Sequence, residues 1–409
     1  MRIVVIVEYF PPRMGSDRRI YELMKRITRK NKIHFLTIPS FHELRGTLQT
    51  KNCDTFSTLN SYVQEDINAY RIEIPNILRK LWKKSLKLAY LLSMFLFTLK
   101  TLKKIVEINP EIIVLNYPSV HTGLLGFFAA KILRKPCVVD FNDLIAQYTI
   151  RLLKLDNKSF VSKMIIFVQD LIVKNSEVII APTNFIKKYA LALGVKDENI
   201  FVVPNGADIR IFNREIESDY RSKLNLHDKK VCVYFGRLDG WAGIHILEEI
   251  CHVFEQTNPD VRFLMVGDGA EKLEFSKNVI RIREVPHHEV PKIINVADIV
   301  LVPFPENEVS HAASPLKLFE GMAMGKTVIA SRVSGIQEVV KNGYNGFLVD
   351  PNNPKDWCET IEGILERKIL QMELGKNAVE SVKKYDWNVL ASTFECILLR
   401  LKKRKREIV

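Results

Sequence analysis

Paired cysteines are the first thing missing. The 409-residue chain has six, Cys53, Cys137, Cys232, Cys251, Cys358 and Cys396, with no C-x-x-C pair and no metal-ligand spacing. That excludes a disulfide framework or a zinc ribbon and reads as reduced core thiols in a cytoplasmic protein. Long apolar runs are missing too. The opening MRIVVIV offers five apolar residues before Glu8, which makes a first strand rather than a signal peptide. Leu86–Leu99 is apolar apart from Lys87, Ser93 and Thr98, and falls short of the roughly 20 residues a spanning helix needs. No D-x-D triplet occurs anywhere. What is present is a globular composition, 47% hydrophobic and 26% charged, at a length that suits two domains better than one core.

Acidic residues are scarce in one half only. Residues 1–205 hold 31 Lys+Arg against 17 Asp+Glu, a charge of +14, whereas 206–409 hold 29 against 30, or −1. A basic first half implies an anionic partner, either nucleic acid or an acidic membrane surface. No nucleic-acid reader motif is recognisable, so nucleic acid is set aside. Ile74 to Val106 contains eight Lys/Arg, one Trp and no acidic residue. Such a basic apolar helix suits the membrane interface, with each base near an anionic leaflet contributing on the order of 1 kcal/mol. The plainer alternative is a long helix packed across the first sheet.

The most informative stretch is SPLKLFEGMAMGKTVIASRVSGIQEVVKNGYNGFLVD, Ser314 to Asp350. Ser314 suits a helix N-cap, Pro315 the first turn and Gly325 the C′ position, with Thr327-Val328-Ile329 following as a buried strand. The N–H groups of that first turn, at Ser314, Leu316 and Lys317, would form an anion site, and Glu320 stands where it can accept hydrogen bonds from a vicinal diol. An anion cradle beside a diol acceptor is what a ribosyl diphosphate requires. A capped helix with a solvated glutamate is the plainer reading.

These residues resemble the donor-binding segment of family 4 retaining glycosyltransferases, which have the GT-B fold. The resemblance extends to VVPNGAD around Pro204, to GRLDGWAG from Gly236, to RFLMVGDG with Gly267, and to Tyr385-Asp386-Trp387 before a final helix. It implies an α/β, GT-B chain of two Rossmann-like parallel-sheet domains facing across a cleft. The expected division is an acceptor-binding domain 1–205, with helix 388–409 packing back on it, and a nucleotide-sugar-binding domain 206–387. It also implies roles. Glu320 would bind the ribose, the nucleobase would lie beside Glu284 and Val285, and Arg237 would neutralise the diphosphate. Gly15 and Ser16 stand where the family has a glycine pair, and Asn142 where it often has a histidine near the reacting sugar.

Two departures stand out. The family's loop lysine is Ala242 here, and Lys317 is the natural substitute; the first glutamate of the E-x7-E pattern is Ala312. The expected catalytic set is therefore Arg237, Lys317, Glu320 and Asn142. No metal or other cofactor is expected, the nucleotide-sugar being a co-substrate. The implied function is transfer of a hexose-type sugar from a UDP- or GDP-sugar to a lipid-linked or growing glycan acceptor. The enzyme would act on the inner face of the cell membrane, held there by Ile74–Val106. A non-catalytic membrane-docked partner subunit and a nucleotide-sugar epimerase are the alternatives.

Overall fold

The computed structural model describes residues 1–12, 15–37, 61–64, 67–72, 86–269 and 276–408, and among these not the side chains of 61–64, 86–95, 241 or 405–408. The chain divides into two compact units, Met1–Val203 with Leu390–Val409, and Pro204–Val389.

The first unit is built on eight strands: β1 (Arg2–Val7), β2 (Lys32–Thr37), β3 (Ser61–Gln64), β4 (Ile67–Arg71), β5 (Ile112–Leu115), β6 (Cys137–Asp140), β7 (Val178–Ala181) and β8 (Ile200–Val202). Their order is β3-β4-β2-β1-β5-β6-β7-β8, parallel throughout except for β3 against β4. A parallel sheet covered on both faces needs unbroken apolar strands. β1 and β5 comply, with Ile3 to Val7 and Ile112 to Leu115 all buried. The strand order reverses at the β1/β5 pair, where an open α/β sheet leaves its ligand crevice.

The second unit has β9 (Lys230–Phe235), β10 (Val261–Val266), β11 (Val279–Ile282), β12 (Ile299–Val302), β13 (Thr327–Ser331) and β14 (Phe347–Val349). All are parallel, in the order β11-β10-β9-β12-β13-β14. Strand alternation sorts their side chains into two cores. Val231, Val233, Phe235, Leu264, Val300 and Val328 pack on one side. Cys232, Tyr234, Phe263, Met265, Leu301 and Ile329 join Trp357 on the other. Each such fully buried side chain contributes about 1.5–3 kcal/mol.

The short strand β4 ends at Arg71, just before the basic stretch. The first crossover helix starts at Gly15, and the Asp17 carboxylate lies in its first turn. Of the basic stretch 74–106, residues 74–85 lie outside the described residues; from Leu86 it is a helix that runs on to Ile108. No helix among the described residues is long and apolar enough to cross a membrane. The final helix, Trp387–Ile408, contributes its residues from Leu390 onward to the first unit.

Candidate active site

In the second unit the site is assembled at the C-terminal ends of β9, β10 and β11. Their following loops are stitched backbone to backbone: Gly236 N–H donates to Val266 O at 2.9 Å, Leu238 N–H to Asp268 O at 3.1 Å and Gly267 N–H to Ile282 O at 2.9 Å. The approach is too close for side chains. A β-carbon on Gly267, where φ is +126°, would fall 2.0 Å from Gly236 O. Gly236 itself sits at φ +128°, and a β-carbon there would come within 3.1 Å of Lys317 Nζ. The glycine thus leaves the space that the ammonium occupies.

Lys317 reaches this loop from the first turn of the Leu316–Ala323 helix. That helix does not use the expected cap: its N-cap is Pro315, which offers no side-chain acceptor. Ser314 is occupied otherwise, its Oγ accepting from Asn205 N–H at 3.4 Å and its carbonyl from the Asn205 amide. The far end is as expected. Gly325, at φ +64°, donates to Met322 O, and Lys326 donates to Gly321 O at 3.2 Å, a paired glycine stop.

The Lys317 ammonium lies 4.0 Å from the centre of the Tyr234 ring and 5.8 Å from that of Phe304. Aromatic faces hold a desolvated cation well. Burial lowers its pKa from 10.5 to about 7, against the opposing pull of the Glu320 carboxylate. Among the described residues no carboxylate stands at ion-pairing distance from it. Tyr234 ties the second cation to the same place, its hydroxyl donating to Arg237 O at 2.5 Å. The Arg237 side chain is 53% exposed, with Nε 2.6 Å from Asp239 Oδ2.

Glu320 follows Lys317 by one helical turn and is buried. Its Oε1 lies 3.0 Å from His287 Nε2, and the His287 ring stands edge-on to Phe212 at 5.3 Å. The segment before His287 contains Glu284, which is exposed, and Val285, which packs against the core. The pairing therefore brings the loop after β11 against the Glu320 helix. Sequence reasoning passed over both His287 and Tyr234. His287 lies 33 residues from its partner; the one cue was its place in the loop after a parallel strand.

The two departures from the family pattern are both core positions. Ala242 and Ala312 are fully buried. Beside Ala312, His311 Nδ1 accepts from Ser334 N–H at 3.1 Å, which leaves Nε2 to donate to Glu306 Oε1 at 2.6 Å. Glu308 opens the Glu308–Ala312 helix.

Gly15, Ser16 and Asn142 belong to the first unit, at its β1/β5/β6 ends. There the Arg19 guanidinium, wholly buried, donates from Nε to both Asp140 oxygens at 3.0 and 3.1 Å and from Nη2 to Val203 O at 2.7 Å. Asn142 Nδ2 donates to Asp140 Oδ2 at 3.2 Å, and Asn116 Nδ2 to Asp17 Oδ1 at 3.0 Å. Asn142 Oδ1 is buried with no hydrogen-bond partner. Burial pushes the neighbouring Asp143 carboxyl from 3.8 up to about 7, with Arg19 opposing and Asp140 adding to the rise.

Two family models match almost end to end. "Glycosyltransferase Family 4" covers residues 15–210, and "Glycosyl transferases group 1" covers 216–381. The chain belongs to the family 4 glycosyltransferases. Solved structures agree on the fold, which is of the GT-B class. Sucrose-phosphate synthase from Thermosynechococcus elongatus superposes with a TM-score of 0.73 at 19% identity over 98% of both chains. Anabaena HepE, in complex with UDP and glucose, gives 0.72 at 18% identity over 97% of this chain and 99% of its own. Among curated relatives, D-inositol 3-phosphate glycosyltransferase of Corynebacterium glutamicum is 27% identical over 215 residues. That match takes in 48% of this family 4 chain and 50% of the relative, so the chain spans about half the length of that relative.

Proposed function

We propose that this family 4 chain is a retaining, metal-independent hexosyltransferase. It moves a sugar from a UDP- or GDP-sugar to a lipid-linked acceptor or growing glycan at a membrane surface. The observation that carries the reading is the convergence of Lys317 Nζ, the Gly236–Arg237 turn and the Glu320 carboxylate at the loop ends of one parallel sheet. Two cations beside unpaired helix N–H groups suit a diphosphate, and a carboxylate one turn further suits a ribose diol. UDP bound to the HepE relative supports UDP as the nucleotide.

Chemistry follows from charge. Cleaving the sugar–phosphate bond leaves negative charge on the diphosphate, and groups already in place stabilise it without reorganisation. Lys317 and Arg237 are those groups here, which is why the proposed reaction needs no divalent ion. In its charged form Lys317 matches the leaving diphosphate, and contact with phosphate would favour that form. His287 holds Glu320 until the ribose hydroxyls take over its oxygens. In the first unit Asn142 Oδ1 and the Asp143 carboxyl supply polar groups for an acceptor hydroxyl.

Nucleotide release tests this, measured with a panel of UDP- and GDP-sugars in the presence and absence of a lipid extract. Release from one donor, increased by lipid, is expected. Glu320→Gln is expected to weaken that donor about 10–100-fold, the worth of a charge-assisted hydrogen bond. The buried alanines at 242 and 312 favour one second reading, a non-catalytic partner subunit. A folded, lipid-binding protein that releases nucleotide from no donor would establish it.

A further inference from the structure

The helix Phe160–Lys174 in the first unit is apolar on both sides. Its inward face buries Val168, Ile172 and Val173 together with Ser162 and Gln169, and its outward face carries large apolar side chains as well. Phe160 is 78% exposed, Met164 42% and Phe167 56%, at i, i+4 and i+7 along one stripe. The inward polar groups are accounted for: Ser162 Oγ donates to Asp156 O at 2.7 Å, and Gln169 Oε1 accepts from Ala146 N–H at 2.9 Å. Burial of the helix therefore does not explain the outward stripe.

Its neighbours continue the pattern. The Ile145–Leu152 helix packs on it and leads into Leu152 and Leu153, both about half exposed. The Thr122–Ile132 helix also packs on it and exposes Phe128 and Ile132. Single exposed apolar residues are ordinary, but three large ones along one stripe of a helix, with more exposed on the helices packed against it, mark a docking surface.

We propose that this face, centred on Phe160, Met164 and Phe167, seats the protein on an anionic lipid bilayer. The charges select that occupant. Lys163 and Lys174 are exposed beside the stripe, and Arg151, Lys154 and Lys158 ring its N-terminal end. Of the two nearby acids, Asp170 accepts the Tyr189 hydroxyl at 2.8 Å, and Asp156, exposed, accepts from Lys158 N–H at 2.9 Å. Protein interfaces are depleted in lysine, whereas an interfacial membrane helix combines bulky apolar groups with flanking bases. Phenylalanines reach the headgroup–acyl boundary while the lysines meet lipid phosphates. The inference rests on the membrane reading above and moves its main contact from the 74–106 stretch to this helix.

The test is flotation with vesicles of phosphatidylcholine alone and with phosphatidylglycerol added. The wild type is expected to float with the anionic vesicles and to be released by salt. Phe160→Gln with Phe167→Gln should lower that partition about tenfold or more. Lys163→Gln with Lys174→Gln should lower it severalfold, on anionic vesicles only. UDP binding and melting temperature should be unchanged in both. A phenylalanine variant that floats like the wild type overturns the assignment while leaving membrane binding intact. A wild type that floats with neither vesicle overturns both, and nucleotide release still decides the transferase separately. A concentration-dependent dimer abolished by the phenylalanine variant overturns it in favour of an interface between copies.

Discussion

The two units share a parallel-sheet plan, yet the ends of their central strands are equipped in opposite ways. In the first, charge is buried and cancelled internally: Arg19 and Asp140 are both fully shielded and locked to each other. In the second, charge is held ready. Arg237 is half exposed with Asp239 beside it, and Lys317 sits against aromatic rings with no ion-pairing carboxylate among the described residues. One arrangement stabilises a fold; the other leaves electrostatic energy available to a ligand. The same residue type, arginine, serves both ends because burial and partner decide its role.

That contrast can be broken most severely at Arg19. Arg19→Met strands Asp140 as an unpaired buried carboxylate, which typically costs about 3–5 kcal/mol; urea unfolding should show the first unit failing at lower denaturant. Lys317→Met should leave stability nearly unchanged and cut turnover about 100-fold, in line with removing one preorganised charge stabiliser. Equal losses of stability in these two variants would erase the distinction. Arg237→Ala sharpens it further, with stability within about 0.5 kcal/mol of wild type and donor affinity reduced about tenfold.

A pH-dependent contrast lies at Asp143. Its folded carboxyl titrates near pH 7 and its unfolded one near 3.8. The folded state therefore binds the extra proton in that window, and stability falls as pH rises from about 4 to 7. Asp143→Asn should flatten that slope, read from urea midpoints across the range.

The fold was open to the sequence because its information is local. Ile112–Leu115 and Val231–Phe235 are unbroken apolar runs between turn signals, and Gly325 ends a helix by a rule that needs no tertiary context. Ser314 shows where local rules stop. It is a good cap in isolation, but Asn205, 109 residues away, binds its hydroxyl and carbonyl, and the helix starts on Pro315 instead. His287 and Tyr234 were hidden for the same reason. Their value lies in partners set by loop packing, and neither periodicity nor spacing encodes that. The outward phenylalanines of Phe160–Lys174 were legible as residues, but which face they occupy depends on what the helix buries.

Lys317 gives the proposed donor site a proton inventory. With burial lowering its pKa from 10.5 to about 7, the Lys317 ammonium gives up its proton far more readily than a surface lysine. A diphosphate favours the charged form, so binding draws protons from solution, fewest in acid and most in mild alkali. The heat of donor binding then changes with the ionisation enthalpy of the buffer even though the affinity at fixed pH does not. Calorimetry in two buffers reads that difference directly, with no turnover and no acceptor.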